Sequence, residues 1–158
     1  MFNNPKITTK SIVSAYADAC KARMAESHCT HVLCLQDTCE INYDGHNLRM
    51  HKNGKTPGCV SNSETGCFFH PTLAVDPETL TPYGFTHIHM WNRKEGSPGC
   101  RERKYKKQSA ESKESYRWSK SIDKTADLIG EDVLITMLSD RESDVYEVLK
   151  RGKNNVKL

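Results

Sequence analysis

Nowhere in these 158 residues is there an apolar run near the roughly 18 that a bilayer span requires. The opening residues Met1-Phe2-Asn3-Asn4-Pro5-Lys6 also lack the apolar core of a secretory signal. These absences point to a cytoplasmic protein with no membrane partner. No two cysteines are spaced C-x-x-C, and an odd set of seven (Cys20, Cys29, Cys34, Cys39, Cys59, Cys67 and Cys100) cannot all pair within one chain. Cys29, Cys34 and Cys39 stand five residues apart, a spacing of no familiar zinc knuckle, so free thiols in a reducing compartment are expected. A Cys/His zinc module drawing on His28 and His31 is the competing reading. Neither sign of charge dominates: the net charge of +3 permits a polyanionic partner without demanding one. No repeat is present. A hydrophobic fraction of 36% suits one domain with a modest core and long polar loops.

What is present alternates between helical and strand-like stretches. Residues 8–26, TTKSIVSAYADACKARMAE, carry Ile12, Val13, Tyr16, Ala19, Cys20 and Met24 at helical spacing. HVLCLQ (31–36) reads as a strand ending near Asp37, with a continuation or partner in CEINY (39–43). Residues 44–65 form a long polar loop without a period. CFFHPTLAV (67–75) and YGFTHIHMW (83–91) are β-like segments joined by Asp76-Pro77-Glu78-Thr79-Leu80-Thr81-Pro82, which predicts an antiparallel hairpin. Residues 114–129 place Trp118, Ile122, Ala126 and Ile129 on one helical stripe. DVLITML (132–138) is a buried strand, and a last helix from Asp144 to Arg151 puts Val145, Val148 and Leu149 on one face. A further strand could begin at 154–158.

Two large features have both bland and functional readings. Arg93, Lys94, Arg101, Arg103, Lys104, Lys106 and Lys107 crowd one polar loop, either as a solvated surface or as contacts to DNA phosphates. Phe68, Phe69, Trp91 and Trp118 fall at strand or helix periodicity, so core packing is expected rather than base stacking. His87 and His89 alternate along one strand and share a face, as partly exposed structural histidines.

The acids at the strand ends matter more. A hairpin and a helix separate the strands ending at Asp37 and Asp140, enough for a crossover that makes those strands parallel. Were they neighbours, the two aspartates would leave the same sheet edge ~5 Å apart. Carboxylates that close repel unless a cation lies between them, and a hard divalent ion such as Mg²⁺ suits oxygen ligands. Such an ion polarises a phosphodiester and activates an attacking water. The bland alternatives are a helix cap at Asp140, a capping box of Asp144 with Glu147, and a plain turn at Asp37-Thr38.

The words around each aspartate add to this. VLCLQDTCEINY (32–43) resembles the first catalytic-aspartate segment of bacterial cut-and-paste DDE transposases of the insertion-sequence-four group. LSDRESDVYEVL (138–149) resembles that group's second-aspartate segment. GCFFHPTLAVD (66–76) and GFTHIHMWNR (84–93) resemble its central hairpin, KESYRWSKSI (113–122) its Lys-Glu-Ser-x-x-Trp helix start, and FNNPKITTKSIV (2–13) the stretch before the first strand. The resemblance implies an α/β, RNase H-like mixed sheet with an antiparallel hairpin and flanking helices. It implies DNA transposition by metal-dependent hydrolysis and strand transfer, with Mg²⁺ (or Mn²⁺) held by two Asp and one Glu. Asp37 and Asp140 take the places of the two metal-holding, catalytic aspartates; Arg141 and Glu142 belong to the motif as support. The implied partner is double-stranded DNA at transposon ends, bound by a homodimer at the bacterial nucleoid.

The pattern also departs from the family. The third acid lies in a downstream Tyr-Arg-Glu-Lys type signature that these residues do not include, and Glu142 and Glu147 sit within the second-aspartate motif itself. Residues 1–158 are therefore expected to be a C-terminally truncated part of the catalytic domain, unable to complete transposition alone. The alternative is a non-catalytic DNA-binding or regulatory remnant that keeps the fold.

Overall fold

A computed structural model describes Asn4, Gly45 and residues 7–43, 58–61, 64–93, 113–150 and 154–158. Helix α1 (Thr9–Glu26) starts at a reciprocal cap: Thr8 Oγ1 accepts from Ser11 N at 3.1 Å, and Ser11 Oγ accepts from Thr8 N at 2.9 Å. Its apolar stripe is used only in part. Cys20 and Met24 are buried, whereas Ile12 and Tyr16 stay exposed, Tyr16 meeting the Phe85 ring edge-on at 6.3 Å. The close approach to the sheet comes at the C-terminal half, where Arg23 Nη1 donates to the Tyr83 carbonyl. Gly84 makes room there: at φ 131° a Cβ would lie 3.2 Å from Arg23 Nη1 and 3.4 Å from Cys20 Cβ.

The strands are β1 (His31–Gln36), β2 (Cys39–Asn42), β3 (Gly66–Val75), β4 (Pro82–Trp91), β5 (Leu134–Leu138) and β6 (Val156–Lys157). They form one mixed sheet. β3 and β4 make the expected antiparallel hairpin, and β3 pairs antiparallel with β1 and β2 on its other edge. β1 pairs parallel with β5, and β5 parallel with β6. The parallel pair needs a crossover, supplied by the hairpin and helix α2 (Tyr116–Ile129). β6 is the strand that residues 154–158 allowed.

Helix α2 covers one face of the sheet. Trp118, Ile122 and Ala126 follow its predicted stripe into a core with Val32, Cys34, Ala74, Ile135 and Met137. Burying each large apolar side chain is worth roughly 1.5–3 kcal/mol. Gly130 ends the helix at φ 92°, its N–H reaching the Ala126 carbonyl at 3.0 Å. The other face is less covered: Leu35 and Leu138 are 41% and 43% exposed.

The final helix is shorter than its pattern. After β5 comes a 3₁₀ turn (Arg141–Ser143), then only α3 (Tyr146–Leu149). The Asp144 cap does not form; Val145 holds the N-cap position without a side-chain bond, because Asp144 N instead closes the 3₁₀ turn on the Arg141 carbonyl. Val148 is buried but Leu149 is 64% exposed, so the expected three-residue face is incomplete. Among the described residues no helix is long and apolar enough to cross a membrane.

The hairpin loop rests on one carboxylate. Asp76 Oδ1 accepts from Glu78 N at 3.0 Å and Thr79 N at 2.8 Å, and Oδ2 accepts from the Tyr83 hydroxyl at 2.8 Å. The Thr79 N–H first, then the Tyr83 hydroxyl, hold this carboxyl down at about 2, against 3.8 ordinarily. The charged form therefore favours folding above pH 3.8, and this contribution disappears as pH falls towards 2. Asp76→Asn is expected to melt below the parent at pH 6, with the gap closing by pH 2. A gap that persists unchanged at pH 2 would count against the charge as its cause.

Candidate two-aspartate site

Leu35 of β1 lies opposite Leu138 of β5, and each strand places an aspartate two residues further on. Both aspartates lie just past the strand ends, on the side of that leucine pair. They line one open depression of about 440 Å³ with Leu35, Gln36, Pro71, Leu138 and Ser139. Both carboxylates are exposed.

A gap in the sheet releases Asp37. Gln36 faces Thr72 and Cys39 faces Phe69, so β1 and β2 keep a single register along β3. Pro71 falls opposite Asp37 and has no N–H to carry a ladder through the gap. The turn closes locally, with Thr38 N donating to Asp37 Oδ1 at 2.6 Å. Asp140 is held by the 3₁₀ turn: Glu142 N donates to its Oδ1 at 2.9 Å, while Ser143 donates N–H and Oγ–H to its carbonyl at 3.1 and 2.8 Å. Asp140 is thus a cap, and the cap engages one of its two carboxylate oxygens.

Behind the aspartates runs a buried polar network that periodicity did not reveal. His70, fully buried in β3, places Nδ1 2.9 Å from Thr38 Oγ1 and Nε2 3.4 Å from Gln36 Oε1. Trp118 packs edge-on to its ring at 4.6 Å. Burial foremost, then the Arg117 charge and the neighbouring His89 and His87, push His70 down to about 3, against a small opposing backbone contact from Asp37. His70 is therefore neutral at physiological pH. Gln36, also buried, leaves its amide nitrogen without a partner among the described residues.

Arg117 ties this network to both aspartate turns. Its Nε donates to Thr38 Oγ1 at 2.8 Å, its Nη2 to Glu142 Oε2 at 2.8 Å, and its Nη1 to the Glu114 carbonyl at 3.0 Å. The guanidinium lies over the Trp118 and Trp91 rings at 5.1 and 5.7 Å. Burial lowers its proton affinity, opposed by the charges of Glu142, Glu114 and Asp140.

Glu142 thus meets Arg117, whereas Arg141 is exposed on the 3₁₀ turn. Arg93 is turned inward: Nε and Nη2 donate to Glu114 at 2.7 Å each, Nη1 to the Val60 carbonyl, and the group lies 4.6 Å over Phe68. Lys94, Arg101, Arg103, Lys104, Lys106 and Lys107 fall outside the described residues. His87 and His89 stack at 6.5 Å, with His87 pushed down to about 4 chiefly by burial. Cys20, Cys29, Cys34, Cys39, Cys59 and Cys67 are free, and burial pushes the Cys20 and Cys34 thiols up to about 11 and about 12. Among the described residues no three His, Cys, Asp or Glu gather as a metal cluster.

His70, Arg117, Thr38 and Gln36 escaped the reading of single acids. Their one sequence signal was polarity in a buried context: a histidine within an aromatic strand, and an arginine beside Trp118 at a helix start. Compared with protein-family models and with curated proteins, the chain finds no match.

Proposed function

We propose that the Asp37–Asp140 depression holds a divalent cation, Mg²⁺ or Mn²⁺, and serves phosphodiester chemistry on DNA in a transposase-type catalytic core. The observation that carries this reading is the meeting of the two aspartates on one depression at the ends of adjacent parallel strands. The donor set fits the ion: two exposed carboxylates supply hard oxygens, and Mg²⁺ is commonly held by one or two carboxylates with the rest of its shell left to water and phosphate. When bound, the cation supplies charge for a phosphodiester oxygen and activation of a water or DNA 3′-OH. Asp37 and Asp140 bind and orient it. The joining of the hairpin and both acid-bearing strands in one mixed sheet supports an RNase H-like core.

Titrating Mn²⁺ into the full chain, read by electron paramagnetic resonance, tests this. Asp37→Ala and Asp140→Ala are each expected to weaken binding at least about tenfold, since each removes a direct ligand. Binding indifferent to both substitutions would sink the reading. DNA binding that falls with salt and ignores both would favour the non-catalytic remnant instead.

A further inference from the structure

We infer that Arg117 is a positioning residue that sets the separation of Asp37 and Asp140. The inference rests on the two-aspartate reading, and it concerns a side chain that does not line the depression.

Neither aspartate sits on a hydrogen-bonded strand residue. Asp37 occupies the gap where the ladder with β3 lapses, and Asp140 opens a three-residue 3₁₀ turn. Turns held only by local bonds open more easily than paired strands. The β1–β5 ladder registers the strands as far as Leu35 and Leu138, and the turns beyond it are free to shift unless a further contact joins them. Arg117 is the described side chain that bonds to both, through Thr38 next to Asp37 and through Glu142 two residues after Asp140. Glu142 N is also the donor that orients the Asp140 carboxylate, so a shift of Glu142 shifts that cap.

The tie is rigid because a guanidinium is a planar fork with fixed donor directions. Arg117 is itself constrained, bonded to the Glu114 carbonyl and packed on two indole rings. Its anchor on Thr38 is buttressed by buried His70. At the other end Glu142 is 65% exposed, so the ion pair alone stabilises the fold little. The consequence of the tie is geometric, and it falls on cation affinity more than on folding. A lysine keeps the charge but replaces the fork with one freely rotating ammonium, which does not reproduce the separate Nε and Nη2 donor positions.

The test uses the full chain with Mn²⁺, comparing the parent with Arg117→Lys, Thr38→Val and Thr38→Ser, each also melted to confirm folding. Arg117→Lys and Thr38→Val are expected to weaken Mn²⁺ binding about tenfold or more, the size of outer-shell losses, and to change the bound-ion spectrum. Thr38→Ser, which restores the hydroxyl, is expected to bind within about twofold of the parent, a rescue that a purely structural role would not produce. If Arg117→Lys fails to fold, the Thr38 pair decides alone. Parent-like binding and spectrum in folded Arg117→Lys or Thr38→Val overturns the positioning role while the two-aspartate reading stands. A parent chain whose Mn²⁺ binding ignores Asp37→Ala and Asp140→Ala overturns both.

Discussion

Lowering the pH from 7 to 4 is expected to remove about 3 kcal/mol of folding stability through His70 alone. In the unfolded chain its imidazole takes a proton near pH 6.5, whereas in the fold burial and the Arg117 charge defer this to about 3. Between those values the unfolded state binds a proton that the folded state refuses, so stability falls as pH falls. Above pH 6.5 both states are neutral and the effect vanishes. His87, pushed down to about 4, and His89, also lowered by burial, act in the same direction. Urea denaturation at pH 7, 6, 5 and 4 measures the slope. His70→Asn removes the titrating ring and keeps a short polar side chain; the variant should be weaker at pH 7 yet visibly less acid-sensitive. An unchanged slope in that variant would assign the acid response to other groups.

Trp118→Ala is expected to cost about 3–5 kcal/mol, within reach of the whole stability of a domain this size. Trp118 is fully buried at the start of α2, where it supports the His70 ring and lies under Arg117. Its removal leaves a void beneath the network as well as losing transfer energy. Trp118→Phe is a sharper probe. The indole Nε1 has no partner among the described residues, so a phenyl ring there forfeits packing but none of the described hydrogen bonds. That substitution should cost less than about 2 kcal/mol. Equal losses for Phe and Ala would mean that the indole nitrogen has a bond of its own.

Much of the architecture was legible because its causes are local. The α2 stripe of Trp118, Ile122 and Ala126 reflects the 3.6-residue turn, and the β3–β4 hairpin follows from alternating strands around Asp76-Pro77. The helix expected from Asp144 to Arg151 is cut to Tyr146–Leu149, because Asp140's cap and the Ser139–Ser143 hydroxyl pair hold a 3₁₀ turn at Arg141–Ser143 that takes up Asp144 N. In α1, Ile12 and Tyr16 fit the stripe but lie beyond the close contact at Gly84, so periodicity overstated their burial.

For the site, the sequence alone determined that Asp37 and Asp140 stand just past the ends of apolar strands. Only the tertiary structure decided that those strands are neighbours and that Leu35 faces Leu138, which brings the acids to one depression. It alone also decided that Arg117 spans to Thr38, 79 positions away in sequence, and to Glu142, 25 away. Chain order encodes contacts within a turn or a hairpin; a bond across such separations leaves no periodic trace, since it exists only once helix and sheet have packed.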